Sequence, residues 1–517
     1  MPGTSIQVGP FLGGLNTFSD PTAVADNELV VCENFELDLD GSLKNRPPIT
    51  DLGIDFPLDD TGNGNMHILG FFYSENNASF IIASDGDSST YYFTGSEWSL
   101  ITDTFSATAM LQFDGKAWLT ASTNTEANGG YWTPAGVFVE VPNMPNGEII
   151  VEYKFRMFIA EGKDSDQNGT RLYRSNVLGT PDLWEEIPDF TDIGAGDGQN
   201  IVQIVVYFNA LLVFRTNSIY VFQFTSDPAA ATLSLVVPNV GLNSKEAVDQ
   251  FESYIYFMYE DKAYEFTNNR ANQINVKVPF TASSQAGIYM PYAVSEFNRR
   301  IIFSYYNTTF VYSLRTRTWT TWKSTEFGSL GQFVKRESGD GAGIAAYLNQ
   351  SATVPTGAGR IAKTLTIVDD TTLAAEDMVC KIRTKNFNYQ ASSIYKRLFW
   401  WGVDATFKSS ITGLVYPISF NFAVSWQTMK DNGTWGEVKQ FVWGQPQSAE
   451  SGIENTVSVA GTSVTRKFIK FLKSLRFRQI YFEVSFETDG SSTTAPVRLF
   501  SLMTYVNPKQ TVGKEVT

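Results

Sequence analysis

The chain has 517 residues, more than one hydrophobic core usually organises, so two or three domains are expected. Hydrophobic residues make up 43% and charged residues 18%, which excludes a disordered chain, and a net charge of −15 argues against a protein that grips nucleic acid through phosphates. One histidine and two cysteines exclude most histidine-dependent catalysis, a disulfide framework and a thiolate zinc site within this chain. The aromatic share of 14% favours strands over helices.

The beginning of the chain predicts an extended docking segment over residues 1–60.

Signals for secretion or membrane insertion are absent from the sequence. Residues 1–5 lack the basic start and apolar core of a secretory signal. The longest apolar runs, such as 201–208 and 254–259, have the length of a strand and fall short of the roughly 18 residues that cross a bilayer. We therefore expect a soluble chain without a membrane span, made in a cytoplasm.

Charge divides the chain into three parts. Residues 1–60 carry 11 acidic and 2 basic side chains, residues 61–379 carry 34 and 20, and residues 380–517 carry 9 and 17. The change of sign near residue 380 predicts a domain boundary there. An acidic body with a basic end also suits head-to-tail stacking of copies, although solvated surfaces explain most such imbalance.

A repeated unit runs through residues 61–379. It consists of a short aliphatic strand, a polar turn, an aromatic strand, a second turn and a strand that often contains Trp or Val. The units begin at residues 79, 116, 156, 210, 253 and 299. Such spacing favours a β-propeller, because radial neighbours bury the faces that one four-stranded sheet leaves open; β-sandwiches are the alternative. Residues 341–363 are a candidate for one more irregular blade.

The pattern changes after residue 380. Longer apolar segments, with Asn432-Gly433 as a turn, predict a separate β-sandwich or jelly-roll domain over residues 380–517. Residues 466–473 form a basic amphipathic element or, alternatively, the solvated face of an ordinary strand or helix. The predicted fold class is all-β, a β-propeller body with a C-terminal β-sandwich.

Two isolated features are candidate sites, one for catalysis and one for cation binding. His67 has no nucleophile nearby, and a structural role is favoured over catalysis. Asp164, Asp166 and Asn168 begin a D-x-D-x-N-G loop of the kind that binds Ca²⁺, but Ser175 stands where the bidentate Glu is required. The turn alone accounts for this composition, so cation binding is left open and no metal site is predicted.

Carboxylate pairs give no acid/base site. The pairs at 59–60, 185–186 and 369–370 consist of adjacent residues, which face opposite ways in a strand. The turns at 166–169 and 179–184 resemble those of sialidase-type propeller hydrolases without keeping their spacing, and mark blade turns instead of catalysis. The sequence therefore predicts a protein that is not an enzyme, without catalytic or cofactor-binding residues and without a cofactor.

The most specific signal lies near the N-terminus. Residues 11–17 (FLGGLNT), 20–28 and 32–47 (CENFELDLDGSLKNRP) resemble the opening of the tail nozzle proteins of short-tailed bacteriophages, also called tail tubular protein B or packaged-DNA stabilisation protein. Residues 498–506 are similar to the terminal strands of that family. The sequence departs from the pattern at Pro48, where a glycine commonly follows the proline, and related openings occur in minor tail proteins of long-tailed phages.

The resemblance implies a virion structural protein with a propeller-like β body. Members of the family form a six-fold ring, a head–tail connector below the portal and adaptor, which extends the DNA channel, retains packaged genome and carries it during ejection. The implied partners are other copies in a hexamer, the adaptor and portal, tail fibres or spikes, and double-stranded DNA passing without sequence-specific binding. The implied location is the virion tail, after assembly in the host cytoplasm. The alternatives are a minor tail protein of a long-tailed phage and a propeller-type glycan-binding protein or hydrolase at the host surface.

The chemistry of particular residues leads to three further expectations. Gly13 and Gly14 predict a tight bend or a close backbone approach. Arg46, before Pro47 and Pro48, is expected to lie in extended chain, where it is able to pair with a carboxylate. The acidic residues of 1–379 are expected to line the lumen of a ring, because an attractive wall would trap the duplex.

Overall fold

The computed structural model describes forty strands and one short 3₁₀ helix (Pro228–Ala230). The described residues are 4–47, 49–55, 67–74, 79–85, 88–94, 97–122, 128–134, 136–160, 169–178, 183–186, 188–194, 196–280, 293–305, 308–323, 330–335, 342–348, 362–368, 378–387, 396–407, 422–428, 439–442, 465–477, 480–488 and 497–508.

Six strands precede the propeller in the chain. They are β1 (Thr4–Val8), β2 (Gly14–Leu15), β3 (Glu28–Glu33), β4 (Phe35–Leu37), β5 (Leu43–Asn45) and β6 (Ile49–Asp55).

Each of the first five blades is an antiparallel four-stranded sheet built from consecutive strands. Blade 1 contains β7 (His67–Tyr73), β8 (Ser79–Ser84), β9 (Thr90–Phe93) and β10 (Trp98–Thr102); blade 2 contains β11 (Ala107–Phe113), β12 (Lys116–Ala121), β13 (Gly130–Trp132) and β14 (Val139–Glu140); blade 3 contains β15 (Ile149–Tyr153), β16 (Arg156–Ala160), β17 (Arg171–Arg174) and β18 (Phe190–Asp192); blade 4 contains β19 (Ile201–Tyr207), β20 (Ala210–Arg215), β21 (Ser218–Gln223) and β22 (Thr232–Pro238); blade 5 contains β23 (Val248–Phe251), β24 (Tyr254–Tyr259), β25 (Lys262–Thr267) and β26 (Arg270–Gln273).

Two further blades close the ring. Blade 6 contains β27 (Ala293–Phe297), β28 (Arg300–Tyr305), β29 (Thr308–Ser313) and β30 (Thr318–Trp322); blade 7 contains β31 (Leu330–Lys335), β32 (Ala342–Leu348), β33 (Ala362–Val368) and, as its outer strand, β6. The first strand of blade 7 contacts β7 of blade 1, as the first strands do between blades 1 and 2, 2 and 3, 3 and 4, 5 and 6, and 6 and 7. The propeller therefore has seven blades in the described part of the chain, and the last is completed by a strand from the N-terminal side.

The remaining strands form a two-sheet sandwich. They are β34 (Met378–Thr384), β35 (Lys396–Phe407), β36 (Phe422–Thr428), β37 (Lys439–Val442), β38 (Thr465–Phe477), β39 (Ile480–Thr488) and β40 (Val497–Pro508). One sheet has the order β38-β35-β40-β5-β4, with β1 on β40; the other has β3-β34-β39-β36-β37, with β2 on β3. Because β3 also touches β30 through the pair Glu33 and Thr321, the second sheet continues into blade 6.

The predicted all-β fold with a propeller body is confirmed. The six predicted units coincide with the second strands of blades 1–6, within one residue of their starts. The candidate extra blade at 341–363 overlaps two strands of blade 7. The N-terminal segment predicted over 1–60 differs from the structure, in which β1–β5 belong to the sandwich and β6 to blade 7. Residues 466–473 lie within the edge strand β38.

Aromatic side chains fill the spaces between blades. Between blades 3 and 4, Tyr153, Phe158, Phe222 and Phe224 are buried together and meet at ring-centroid distances of 5.2 to 6.3 Å. Edge-to-face contacts of this kind add to the free energy gained by removing the rings from water. Aromatic residues from the first, second and third strands therefore join one blade to the next.

The first two strands of blades 2–6 are joined by two-residue turns. Each turn follows an aromatic residue at the end of the first strand: Phe113, Tyr153, Tyr207, Phe251 and Phe297. The first turn residue has a positive φ in all five blades, as the tight hairpins of twisted strands require. The turn tips therefore lie together at one end of the propeller, beside the loops between the third and fourth strands.

Candidate functional site

The residues behind the family resemblance lie where the sandwich meets blade 6. Asn34 follows β3 and adopts a left-handed conformation with a φ of 58°. Its side-chain oxygen accepts hydrogen bonds from the backbone N–H of Lys323 at 2.7 Å and from Arg46 Nε at 2.9 Å, and its amide donates to the carbonyl of Val379 at 2.8 Å. One buried side chain thus holds blade 6, the β5 end and β34 together.

Arg46 is fully buried in this junction. Besides its bond to Asn34, it donates to the carbonyls of Pro47 at 3.0 Å and Lys323 at 3.2 Å, and its guanidinium lies 5.6 Å from the ring centroid of Trp322. Its identified hydrogen-bond acceptors are thus an amide oxygen and two backbone carbonyls, and pairing with a carboxylate stays a prediction. These acceptors belong to both domains, so the guanidinium acts as a structural cross-link.

The glycine pair makes the predicted close approach. A Cβ on Gly13 would lie 2.3 Å from Glu28 Cγ, and one on Gly14 would lie 2.7 Å from Thr318 Cβ in blade 6. Gly14 also has a φ of +65°, which side chains other than glycine rarely adopt. The N-terminal stretch therefore needs glycine here in order to lie against the propeller.

Two ion pairs strengthen the same contact. Arg300 of β28 donates from Nη2 to Glu36 Oε2 at 2.8 Å, with Nε 2.5 Å from Oε1, and both side chains are nearly buried. Lys277 donates to Glu28 Oε1 at 2.6 Å. Burial acts to raise the pKa of Glu28, but the hydrogen bonds from Lys277 and from Asn16 outweigh it and hold the pKa below its usual range. The lowered pKa keeps Glu28 ionised as the partner of Lys277 at neutral pH.

A third polar centre fixes the loop between blades 3 and 4. Arg215 of β20 is fully buried; it donates to Asp197 Oδ2 at 2.7 Å and Oδ1 at 2.5 Å and to the carbonyl of Gly194 at 3.2 Å. The hydrogen bonds from Arg215 hold the pKa of Asp197 below its usual range, against a smaller opposing effect of burial. The arrangement is a structural clamp on the glycine-rich loop 194–199.

A strongly perturbed tyrosine lies between blades 5 and 6. Tyr256 donates to Glu265 Oε2 at 2.9 Å, and Arg317 donates to the same oxygen at 3.3 Å. Burial and the adjacent Glu265 raise the pKa of Tyr256, which keeps its hydroxyl protonated as the donor. The exposed Arg317 neutralises a carboxylate whose other contacts are buried, so this group also joins two blades.

The other candidates from the sequence are not brought together. His67 begins β7, while Glu185 and Glu186 are exposed in the loop after β17. The 163–168 part of the cation loop and the pairs at 59–60 and 369–370 lie outside the described residues. Over the described ranges, His, Cys, Asp and Glu side chains form no group of three that suits a metal ion. Cys32 and Cys380 are buried and are not joined in a disulfide.

Among the residues that the structure describes, none belongs to a helix with the length and apolar character needed to cross a bilayer.

Comparisons with known proteins give a fold likeness and no family. No protein-family model and no curated protein matches the chain. The WD40 domain of Pan2 from Neurospora crassa is similar over 63% of this chain and 96% of its own, with 10% identity and a TM-score of 0.40. BamB from Moraxella catarrhalis is similar over 63% and 97%, with 9% identity and a TM-score of 0.38. Neither likeness bears on function, and the chain's own sheets define it as a propeller protein with an attached β-sandwich.

Proposed function

We propose that this chain is a non-enzymatic structural protein of a bacteriophage tail. Copies of it form a ring, the nozzle, that extends the DNA channel below the portal and adaptor, retains the packaged genome and carries it during ejection. The neighbours in this proposal are other copies, the adaptor, and fibres or spikes. The duplex passes through the lumen without sequence-specific contacts.

One observation carries the proposal: the residues of the resemblance build the junction between the two domains. Asn34 and Arg46 bond across it, and Gly13 and Gly14 allow the N-terminal stretch to pack against blade 6. A rigid junction between the two domains suits a structural protein that has to keep its shape while it retains the packaged genome. The propeller body supports the proposal further, since it is the architecture that the resemblance implies.

The charge distribution suits the same role. Residues 1–379 carry 45 acidic and 22 basic side chains, so the propeller part repels phosphate. A repulsive wall lets a duplex slide, whereas a basic one would hold it by releasing counterions. In a ring viewed by cryo-electron microscopy, the acidic residues of 1–379 should line the lumen preferentially, and basic rings lining the lumen would contradict this part of the proposal.

The test is the mass of the purified protein by light scattering over a concentration series, followed by negative-stain imaging. A discrete species near six times 57.5 kDa with a central hole is expected. If the purified protein is monomeric, it is next mixed with tails that lack it, and it is expected to be incorporated into them. Failure to enter tails, together with binding or cleavage of glycans in a screen, would overturn the proposal in favour of a glycan-directed propeller at the host surface.

A further inference from the structure

An exposed apolar patch occupies one end of blades 2–4. Phe155 and Phe208 stand at the turn tips of blades 3 and 4 with 69% and 71% of their surface exposed. Val137 and Val177, in the loops between the third and fourth strands of blades 2 and 3, are 83% and 43% exposed. All four lie at the same end of antiparallel blades, and they are called the tip patch below.

The tips are held side by side. The hydroxyl of Tyr153 in blade 3 donates to the carbonyl of Asn209 in the turn of blade 4 at 2.6 Å. The N–H of Leu178 donates to the carbonyl of Phe155 at 2.7 Å, which places the Val177 loop beside that turn. Tyr207 packs edge-on against Phe208 with ring centroids 4.6 Å apart. The patch is therefore a fixed surface and not a set of loose side chains.

Backbone strain shows that these phenylalanines are not placed for stability. Phe155 has a φ of 58° and Phe208 a φ of 50°, a region that bulky residues avoid and that Gly, Asn and Asp accept. The other described turns of this type contain Asp114-Gly115, Glu252-Ser253 and Asn298-Arg299. Two neighbouring blades thus expose an apolar ring in a conformation that a polar residue would adopt at lower cost, which is typical of a contact surface.

The rim of the patch is predominantly acidic. Asp114, Glu185, Glu186, Asp227 and Glu252 are exposed in turns and loops at the same end of blades 2–5, where Arg270 at the start of β26 is also exposed. Lys154 lies among them, but its ammonium donates to the carbonyl of Phe224. A partner for this surface therefore needs apolar residues surrounded by positive charge.

Strand β38 of the sandwich has that composition. It runs from Thr465 to Phe477, contains five basic and six large apolar residues and no acidic one, and lies at the edge of its sheet, where it pairs with β35. Edge strands commonly carry Lys and Arg to discourage pairing, but they also provide a ready-made docking strand. We propose that the tip patch of one copy binds the β38 edge of the next copy.

This contact joins two different surfaces, so it is head-to-tail and repeats around a ring. The inference deepens the proposed function and rests on it only for the identity of the partner as a second copy. The apolar rings supply the centre of the interface, and the acidic rim and basic strand set its orientation and make it sensitive to salt.

Cross-linking tests the contact directly. An Asn209→Cys protein is mixed with a Lys470→Cys protein and treated with a bismaleimide; Cys32 and Cys380 are buried and give little background. A product of twice the subunit mass is expected only in the mixture. Phe18, 70% exposed and outside the tip patch, provides the control: Phe18→Cys mixed with Lys470→Cys should give no such product. Equal products from both mixtures would overturn the inference.

A variant pair completes the test. Phe155→Asn with Phe208→Asn removes both rings and supplies a residue suited to positive φ, so the melting temperature should not fall, while the dissociation constant of the oligomer should rise about 100-fold. Phe18→Asn removes a ring of equal exposure and should leave assembly unchanged. Unchanged assembly of the double variant would overturn the contact between the tip patch and β38, but not the proposed ring. A wild-type protein that stays monomeric at every concentration would also overturn this contact, and the proposed ring would then be tested by incorporation into tails.

Discussion

The ion pair between Arg300 and Glu36 should dominate the stability of the junction. Replacing Arg300 by Met leaves a carboxylate that is nearly buried, with Lys44 3.7 Å away as a second and more exposed cation. Removing one partner of a buried pair costs about 3–5 kcal/mol, and the remaining contact with Lys44 places the expected loss near about 3 kcal/mol. Replacing both partners, Glu36→Leu with Arg300→Met, should cost about 1 kcal/mol or less, because no buried charge remains alone.

The assay is urea unfolding of the wild type, both single variants and the double variant, with tryptophan fluorescence and circular dichroism followed together. The coupling energy from this cycle should be at least about 2 kcal/mol. Lys323→Met is the control, since the pair of Lys323 with Glu33 is partly exposed and should contribute less than about 1 kcal/mol. Additive single losses, with a double variant as unstable as their sum, would refute the argument that these two charges depend on each other.

Three further predictions concern the propeller and the thiols. Arg215 lowers the pKa of Asp197 in the folded state. The contribution of ionised Asp197 to folding stability is therefore complete above its ordinary pKa of about 3.9 and is lost as the pH falls through the lower pKa of the folded state. Below about pH 4, the melting temperature of the wild type should fall more steeply than that of Asp197→Asn. Gly194→Ala, whose Cβ would lie 2.1 Å from Arg215 Nη1, should cost about 2–3 kcal/mol, against about 1 kcal/mol for Gly196→Ala at an equally left-handed but open position; equal urea midpoints would contradict this reasoning. Both cysteines are fully buried, so a thiol reagent should react with the folded protein far more slowly than with the protein in urea, and fast labelling of the native chain would show that the sandwich core is open.

Local patterns predicted the blades because each blade is built from consecutive strands. The aliphatic and aromatic runs starting near 79, 116 and 156 became the second strands of blades 1–3. A signal that would have fixed the blade boundaries better was also present: an aromatic residue, then a two-residue turn, directly before each of these strands in blades 2–6. The positive φ of the first turn residue suits Asp114 in blade 2 and Asn298 in blade 6, whereas blades 3–5 have Lys154, Phe208 and Glu252 there.

Pairings between distant parts of the chain could not be predicted in this way. Strand β6 completes blade 7 by pairing with β33, more than 300 residues later, and β3 pairs with β34 at a similar separation. Hydrophobic periodicity reports which face of a strand is buried, but not which strand lies beside it. The ion pair of Glu36 with Arg300 was missed for the same reason, since the two residues lie 264 positions apart in the sequence.

Asn34 shows why the most specific part of this sequence is explained by architecture. Its φ of 58° suits Asn or Gly, and its amide both accepts from Arg46 and Lys323 and donates to Val379. Asn34→Gly keeps the backbone but loses all three bonds, and should cost about 3–4 kcal/mol in urea unfolding. Asn34→Asp keeps the acceptor beside a buried guanidinium and loses only the donor, so it should cost less, about 1–2 kcal/mol. If Asp were the more damaging substitution, the oxygen would not be the atom that joins the two domains.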